Sequence, residues 1–505
     1  MNRALASPPV VRWPFVLAGI GLVLAAGSIL FLTATAIPLG IVGEWVWNRS
    51  PVPPTSLTSW LIPAIASGLY LVVFVAGDRL IDRAWWIGRA ALLLMLLGVA
   101  ACWQRAAMDL PSPPLGMERF APALFFESTS GYFARARQID RPDEFLRGYK
   151  EWVSKADSFH QGTHPPGLIL FFRGLLTWFQ REPALADTIE QWSPARLRDG
   201  LEAIGQPLAP ADRATLLFAS LLTWALSLAT GPLIYATIRQ GYSPRAGWWG
   251  AALWSVLPAG LFFLPLADVL FPFLAMLTWL LVILSFRARI GLLAILAGAI
   301  GSVGLFLSLA FVVVGAIAGA IVLSEAVAKK EYRRGIITIA CLLAGLALPM
   351  EALFENYKIS MIEVWQINLA KHAGFYTAMP RSYFPWLGIN LVELAMMTGP
   401  SLFVVALAWG FRSGWHFGPT SPDRLVTIWL VVLIALDLSG RNRSEAARLW
   451  LFLTPVVPVA SACWGGQSGS AGALAMRVVL ILFAMVGTLV LLGWVEPLLP
   501  VVLSP

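Results

Sequence analysis

Long apolar stretches alternate with short polar stretches along the whole chain. Uncharged runs at 15–39, 57–77, 214–238 and 478–495 reach or approach the roughly 20 residues that cross a bilayer as a helix. A helix satisfies its backbone hydrogen bonds internally, as the interior of a bilayer requires. The pattern therefore predicts an all-α integral membrane protein with about 13 transmembrane helices, which form a single polytopic domain over residues 1–505.

Composition excludes a water-soluble fold. Hydrophobic residues make up 58% of the chain and charged residues 13%, whereas soluble domains carry about 25% charged residues. The formal net charge of +8 does not indicate nucleic-acid binding, because the basic residues lie in short loops rather than in one patch. Basic clusters follow every second span: Arg79, Arg83 and Arg89; Arg239 and Arg245; Arg287 and Arg289; Lys329, Lys330, Arg333 and Arg334; Arg412 and Arg424; and Arg477.

This spacing predicts an orientation. Together with Arg3 and Arg12, the basic clusters place the N-terminus and their own loops in the cytoplasm. A bacterial inner membrane is expected, because no organelle signal is evident in the sequence. Three longer segments, 105–213, 354–387 and 439–448, then lie outside. The run 165–180 is apolar but short, and a span there would move every later basic cluster outside. We therefore expect it to lie flat in the outer interface.

Candidate catalytic residues lie in the first outer segment and in a short turn. A carboxylate or imidazole can take a proton from a hydroxyl group. Glu127 is the candidate base, because the two phenylalanines before it would desolvate it and raise its pKa; a role in capping the next helix is the alternative. Asp268 stands alone in an apolar turn, and an isolated carboxylate at the bilayer edge is often functional, although a structural aspartate is equally consistent.

Two histidines in the same outer segment are four residues apart. His160 and His164 would share one face of a helix, as metal ligands do, but Pro165 argues against a continuous helix there. We predict that at least one of them hydrogen-bonds a substrate. Metal binding and ordinary loop packing are the alternatives.

A third outer segment is rich in arginine. Arg441, Arg443, Glu445 and Arg448 lie at the mouth of a span. The planar guanidinium group binds phosphate oxygens in pairs, so this segment predicts a phosphate site. Glu445 and Arg448 are three apart and would face the same way on a helix. The alternative is a cytoplasmic loop that obeys the positive-inside rule.

Aromatic, amide and hydroxyl side chains are interleaved in the second outer segment. Rings stack on the apolar face of a sugar while amides bond its hydroxyl groups. Asn368, His372 and Tyr376 are therefore candidate substrate-binding residues. The alternative is the aromatic belt that lies at any membrane interface.

The first outer segment contains an acidic residue, then the sequence Thr-His-Pro-Pro-Gly at 163–167, and then a short apolar helix. In this order of features it resembles the GT-C superfamily of membrane glycosyltransferases. That class includes protein O-mannosyltransferases, lipid A aminoarabinose transferases and mycobacterial arabinofuranosyltransferases. The resemblance implies a polyprenyl-phosphate sugar donor and a base in this segment. Members usually carry an aspartate or an acidic pair there, whereas Ser128 follows Glu127; Asp143 and Glu118 are the substitute candidates.

The prediction is an inverting hexosyl- or pentosyltransferase that moves a sugar from a polyprenyl-phosphate donor to an envelope glycan, lipid or protein acceptor. Arg443 and Arg448 would hold the phosphate, and Glu127, supported by a histidine, would activate the acceptor hydroxyl. Partners are the donor, the acceptor and membrane lipids, without nucleic acid. No cofactor is indicated, and a divalent metal stays open. A transporter or flippase of lipid-linked sugars and an O-antigen-ligase-like enzyme are the rivals.

Overall fold

The structure is a computed structural model that describes residues 13–34, 36–156, 161–415 and 418–496. Predictions that involve Arg3, Arg12 and His160 fall outside the described residues. Within the described part nearly all regular structure is helical, and the strands form two short antiparallel pairs.

The N-terminal third combines apolar helices with a group of short helices. The first elements are α1 (Trp13–Thr33), β1 (Gly40–Ile41), β2 (Trp45–Val46), β3 (Asn48–Arg49), α2 (Leu57–Leu80) and α3 (Trp86–Met108). Short helices follow: α4 (Phe120–Phe125), α5 (Tyr132–Arg137), α6 (Pro142–Arg147), α7 (Tyr149–Lys155), α8 (Gly167–Arg181), α9 (Pro183–Trp192) and α10 (Ala195–Glu202). Helix α8 covers the run predicted to lie in the interface.

The remaining chain is dominated by longer helices. These are α11 (Pro210–Ile238), α12 (Pro244–Val256), α13 (Phe271–Ala288), α14 (Gly291–Leu307), α15 (Ala310–Lys329) and α16 (Tyr332–Tyr357). They continue with α17 (Met361–Ala378), α18 (Tyr383–Thr398), α19 (Pro400–Trp415), α20 (Ser421–Ser439), α21 (Ala446–Leu449), α22 (Val456–Gly465), α23 (Ala471–Trp494) and β4 (Val495–Glu496). β1 pairs with β2 and β3 with β4. Turns of 3-10 helix occur at Met117–Arg119, Gln161–Thr163, Pro258–Gly260, Ala267–Leu270 and Leu451–Leu453.

Seven helices of the described chain are long and apolar enough to cross a membrane: α2, α3, α11, α13 with its preceding turn, α15, α16 and α23. Helices α18 and α19 form a pair bent by 111°, which makes eight if the pair is one span. The segments Gly19–Thr33, Gly291–Leu307 and Leu451–Gly465 are apolar but shorter. The all-α membrane fold is confirmed. The predicted number of about 13 spans is higher than this count, because several apolar runs form helices that are short or broken.

Glycines allow two of the helices to pack closely. Helices α14 and α16 lie against each other, and a side chain at Gly298 would collide with the carbonyl group of Leu342. A side chain at Gly345 would collide with the carbonyl group of Ile295 on the facing helix. Small residues at helix contacts let backbones approach within a membrane, where lipid is as apolar as the side chains.

The basic clusters meet at one end of the helices, which we call the basic face. Ion pairs connect their loops there: Arg245 with Asp82 at 3.1 Å, Arg477 with Asp78 at 3.0 Å, and Arg289 with Glu331 at 3.5 Å. Helix α13 begins next to Asp268 and α15 begins at Ala310, and both end on the basic face. We call the opposite end, which carries Asp268 and the short helices α4–α10, the loop face.

Candidate functional site

A cavity of about 400 Å³ lies on the loop face, where the junction of α14 and α15 meets four other segments that are distant in sequence. The turn at Gln161–Thr163, the Asp268 turn, helix α17 and the loop after α20 all contribute side chains. Its polar lining residues are Thr163, His164, Asp268, Ser308, His372, Arg441 and Asn442. The three outer segments predicted from sequence therefore form one site with the Asp268 turn.

A narrower space of about 60 Å³ adjoins this cavity and shares His164 and Asp268 with it; we call the narrower space the inner part of the site and the larger cavity the outer part. Arg448 and Tyr132 line this inner part. The ring of Tyr132 meets the ring of His164 edge to face, with 5.7 Å between ring centroids. A carboxylate, an imidazole, a phenol and a guanidinium group thus surround one small space.

The turn that carries His164 is held by hydrogen bonds to its backbone. Tyr149 Oη donates to the His164 carbonyl oxygen at 2.8 Å, and Asn368 Nδ2 donates to the Gly162 carbonyl oxygen at 2.8 Å. His164 Nδ1 lies 3.1 Å from Thr163 Oγ1. Asn368, predicted to bind substrate, is fully buried beneath the turn, so its amide positions His164 from below.

The position that ends the Thr-His-Pro-Pro-Gly sequence requires glycine for a steric reason. Gly167 begins α8 directly against the end of α14, and a side chain there would collide with the carbonyl group of Phe306. The two prolines before it suit the start of a helix, where the backbone N–H groups lack intrahelical partners. This sequence therefore fixes the direction in which α8 leaves the site.

The arginine-rich loop adopts a constrained backbone. Ser444 and Glu445 have φ values of 88° and 53°, a region that residues other than glycine rarely adopt. Two buried side chains of α18 hold this loop in place. Asn390 Nδ2 donates to the Asn442 carbonyl oxygen at 2.9 Å, and Ser444 N–H donates to Asn390 Oδ1 at 3.3 Å. Glu393 lies one turn further along α18.

Glu393 fixes the start of α21. Its Oε2 accepts a hydrogen bond from the Ala447 N–H at 3.1 Å, and its Oε1 accepts one from Trp47 Nε1 at 3.0 Å. The first N–H groups of a helix have no intrahelical acceptor, so this carboxylate satisfies one of them. Arg448 is the next residue, and its direction into the inner cavity follows from this anchor.

Arg448 remains charged within the site. It forms an ion pair with Glu445 at 3.3 Å, which confirms that these two residues face the same way. Burial lowers the pKa of Arg448, but electrostatic interactions with Glu445, Asp268 and Tyr132 outweigh burial and raise the pKa above its usual value. A permanent cation therefore faces Asp268.

The other two arginines differ in their surroundings. Arg441 is exposed and lines the outer cavity. Arg443 packs over the ring of Tyr376, with 5.2 Å from its guanidinium carbon to the ring centroid, and its Nη1 donates to the Arg381 carbonyl oxygen at 2.9 Å. The Arg443 guanidinium thus holds the loop to its neighbours. Arg441, rather than Arg443, lines the cavity, although the sequence suggested Arg443 as the phosphate ligand.

The second outer segment contributes His372 to the cavity lining and Tyr376 to the support of the loop. Burial lowers the pKa of His372, and electrostatic repulsion from His164 and Arg441 lowers it further, so the neutral imidazole of His372 is favoured. Tyr376 Oη donates to the Arg441 carbonyl oxygen at 3.0 Å and accepts from the Arg443 N–H at 2.8 Å. Tyr376 therefore supports the arginine loop from below.

The acidic candidates of the first outer segment lie away from the cavity lining. Glu127 is exposed in the turn before α5, so the burial expected from its apolar neighbours is not present. Glu118 forms a buried ion pair with Arg196 at 2.5 Å, and Asp143 pairs with Arg141 at 3.4 Å. Of the acidic candidates, Asp268 is the one that lines the cavity.

No family model matches the chain, and no curated protein matches it. Among solved structures, the chain is similar to the archaeal oligosaccharyltransferase AglB from Archaeoglobus fulgidus, which was solved with an inhibitory peptide and a dolichol-phosphate. The two are 12% identical with a TM-score of 0.37, over 70% of this chain and 51% of that one. The chain thus spans about half the length of that structure. This similarity carries no functional argument.

Several residues of the site were not among the candidates predicted from the sequence. Tyr132, Asn390 and Asn442 carry no spacing signal that separates them from ordinary interface residues. Glu393 did carry one, since it is an acidic residue inside an apolar run, and such residues are costly in a membrane. Within the described ranges no group of three or more His, Cys, Asp or Glu side chains is placed to hold a metal. The alternative that His160 and His164 bind a metal together stays open, because His160 lies outside those ranges.

Proposed function

We propose that this protein transfers a sugar from a polyprenyl-phosphate donor to an acceptor hydroxyl group at the loop face. One observation carries the proposal: Asp268, His164, His372, Arg441 and Arg448 converge on a single cavity from four separate segments. A carboxylate, two imidazoles and two guanidinium groups are what the transfer of a phosphate-linked sugar needs, because one proton must be removed and one phosphate must be stabilised.

Arg448 and Arg441 are proposed to hold the donor phosphate. Arg448 lines the inner part of the site and Arg441 the outer part, and the two parts share His164 and Asp268; the proposal places the phosphate between the two arginines. A second cavity of about 340 Å³ lies on the other side of α21. Its lining is apolar apart from Glu393 and contains no described cation. The phosphate is therefore assigned to the cavity that holds the arginines.

Asp268 is proposed as the proton acceptor. The acceptor oxygen attacks the anomeric carbon, the bond from that carbon to the phosphate oxygen breaks, and polyprenyl phosphate leaves with the bonding electron pair. The acceptor proton passes to Asp268, and attack opposite the leaving group inverts the anomeric configuration. Glu127, the base predicted from sequence, is the competing assignment, and the variants described below separate the two.

The neutral imidazole group of His372 suits the sugar itself. A neutral histidine both donates and accepts a hydrogen bond, as a sugar hydroxyl group does, and the pKa of His372 is lowered. His164 lies between the two parts of the cavity. The proposal places the sugar between these histidines, with Asn368 and Tyr376 positioning the turn and the loop that carry the contacting groups.

The site is proposed to face the outside of the cell. The basic clusters occupy the opposite end of the helices, and such clusters mark the cytoplasmic side. In a variant without native cysteines, single cysteines at positions 164 and 443 are expected to react with a membrane-impermeant reagent in intact cells, and a cysteine at position 330 is not. Reaction at 330 with protection at 164 and 443 would reverse the orientation.

Turnover tests the proposed reaction. The purified chain is incubated with a panel of polyprenyl-phosphate sugars and a membrane extract as the acceptor source, and released polyprenyl phosphate is quantified. We expect release with at least one donor, and its loss in Asp268→Asn. Movement of the donor across a vesicle membrane without release would support a transporter and contradict the proposal.

A further inference from the structure

A second polar cavity lies on the basic face, at the opposite end of the helices from the proposed active site. It has a volume of about 570 Å³ and lies where α13 and α15 end and α14 and α16 begin. Helix α15 has 20 residues between the two sites, which corresponds to about 30 Å of helix. This cavity plays no part in the sugar-transfer mechanism.

The cavity is strongly basic. Arg289, Lys330, Arg333 and Arg334 line it together with a single carboxylate, Glu331. Glu331 pairs with Arg334 at 2.7 Å and with Arg289 at 3.5 Å, so it cannot neutralise the other cations. A concave site with an excess of positive charge attracts anions.

The backbone adds to this positive potential. Helices α14 and α16 begin at Gly291 and Tyr332, which both line the cavity. The residues before them, Ile290 and Glu331, make no side-chain capping hydrogen bond. The first N–H groups of a helix lack intrahelical acceptors and favour an anion such as phosphate.

Two of the cations stand at positions that favour glycine. Arg289 and Lys330 have φ values of 63° and 57°, in the left-handed region that other residues rarely adopt. Both follow the last residue of a helix, where glycine is the usual choice. The chain instead carries long basic side chains at both helix ends, and both line the cavity.

The edge of the cavity is apolar and lies at the surface. Ile337 lines the cavity and is 50% exposed, and its neighbour Ile336 is 70% exposed. Tyr332 also lines the cavity and is 60% exposed, and tyrosines are enriched at membrane interfaces. A ligand with an anionic head and apolar chains fits this arrangement.

We propose that this cavity binds the phosphate head group of an anionic phospholipid of the basic-face leaflet. Basic pockets between membrane helices on the cytoplasmic side bind such head groups. The apolar edge favours a lipid over a soluble phosphate, because the acyl chains would lie along α16. This site is independent of the proposed glycosyltransferase reaction.

The test measures lipid binding to the purified full chain by native mass spectrometry. Phosphatidylglycerol is compared with phosphatidylcholine for the wild type and for the double variant Arg289→Gln/Arg333→Gln. The matched control is Arg79→Gln/Arg83→Gln, which removes the same charge from exposed positions on the same face. We expect preferential phosphatidylglycerol binding to the wild type and to the control, and about thirtyfold weaker binding to the cavity variant.

Three outcomes would overturn the proposal. Equal losses in both double variants would show that general charge, not the cavity, attracts the lipid. Equal binding of the two lipids by the wild type would remove the anionic head group as the ligand. Displacement of bound phosphatidylglycerol by millimolar inorganic phosphate would identify a site for soluble phosphate instead. Thermal unfolding is measured for each variant, to establish that the lipid-binding measurements compare folded proteins.

Discussion

Glu393→Ala is expected to weaken donor binding although Glu393 does not line the proposed active-site cavity. The Glu393 carboxylate accepts hydrogen bonds from the Ala447 N–H at 3.1 Å and from Trp47 Nε1 at 3.0 Å. Removing it leaves the buried Ala447 N–H and the partly buried Trp47 Nε1 without these acceptors. The start of α21 then loses the anchor that directs Arg448 towards the inner cavity.

The magnitude follows from those two hydrogen bonds. A buried donor left without a partner costs about 1–3 kcal/mol. Loss of the Ala447 contact is therefore expected to destabilise the fold by about that amount, and the partly buried Trp47 Nε1 adds less. If α21 shifts to find another acceptor, Arg448 leaves the phosphate. A hydrogen bond to a charged group contributes about 1.5–3 kcal/mol, which corresponds to a roughly tenfold to hundredfold loss of donor affinity.

The assay combines thermal unfolding with the KM for the polyprenyl-phosphate sugar. Trp47→Phe is the matched control, because it removes the other hydrogen bond to Glu393 and leaves the Ala447 contact intact. We expect both variants to be less stable, and only Glu393→Ala to raise the donor KM strongly. An unchanged donor KM in Glu393→Ala, or an equal rise in Trp47→Phe, would refute the positioning role.

Three further outcomes follow from the site. Asp268→Asn is expected to lower kcat about a hundredfold or more, and Glu127→Gln to change it less than about threefold; the reverse pattern would assign the base to Glu127. Arg448→Lys keeps the charge but loses the planar fork, so the donor KM should rise about tenfold with little change in kcat. Arg441→Gln removes a cation that lowers the pKa of His372, so the pKa of His372 should rise. At saturating donor, the acid limb of the pH–activity profile should therefore move to higher pH, and an unmoved limb would exclude this coupling.

The membrane fold could be predicted because bilayers impose a simple rule on sequence. A long uncharged run must form a helix to satisfy its backbone, and the alternation of basic loops predicted which helix ends share a face. The predicted number of about 13 spans is larger than the seven or eight sufficiently long apolar helices of the described chain, in part for a physical reason. Helices α18 and α19 meet at 111°, and an apolar run does not reveal such a break.

The convergence of the outer segments could also be predicted, since loops on one side of a bundle must share one face. The individual roles could not. Arg441, Arg443 and Arg448 lie within eight residues of sequence, yet two of them line the cavity and Arg443 packs on tyrosine rings. The left-handed backbone at Glu445 determines these directions, and it depends on side chains from α18 that are distant in sequence.

Which carboxylate lines the cavity also depends on contacts between segments that are distant in sequence. Glu127 follows two phenylalanines, which suggested a desolvated group, but their rings pack inward while Glu127 points to the exterior. Asp268 lies in a short turn, and its surroundings come from α21 and the histidine turn. Local sequence does not contain that information.

Binding of a long-chain polyprenyl phosphate to the purified protein tests the central claim most directly, because this product is shared by every donor sugar. Titration of the wild type is compared with Arg448→Ala and with Arg412→Ala, which removes an exposed arginine from the basic face. We predict saturable binding to the wild type and to Arg412→Ala, and at least about tenfold weaker binding to Arg448→Ala. Equal binding by all three proteins would contradict the assignment of this cavity to the lipid phosphate.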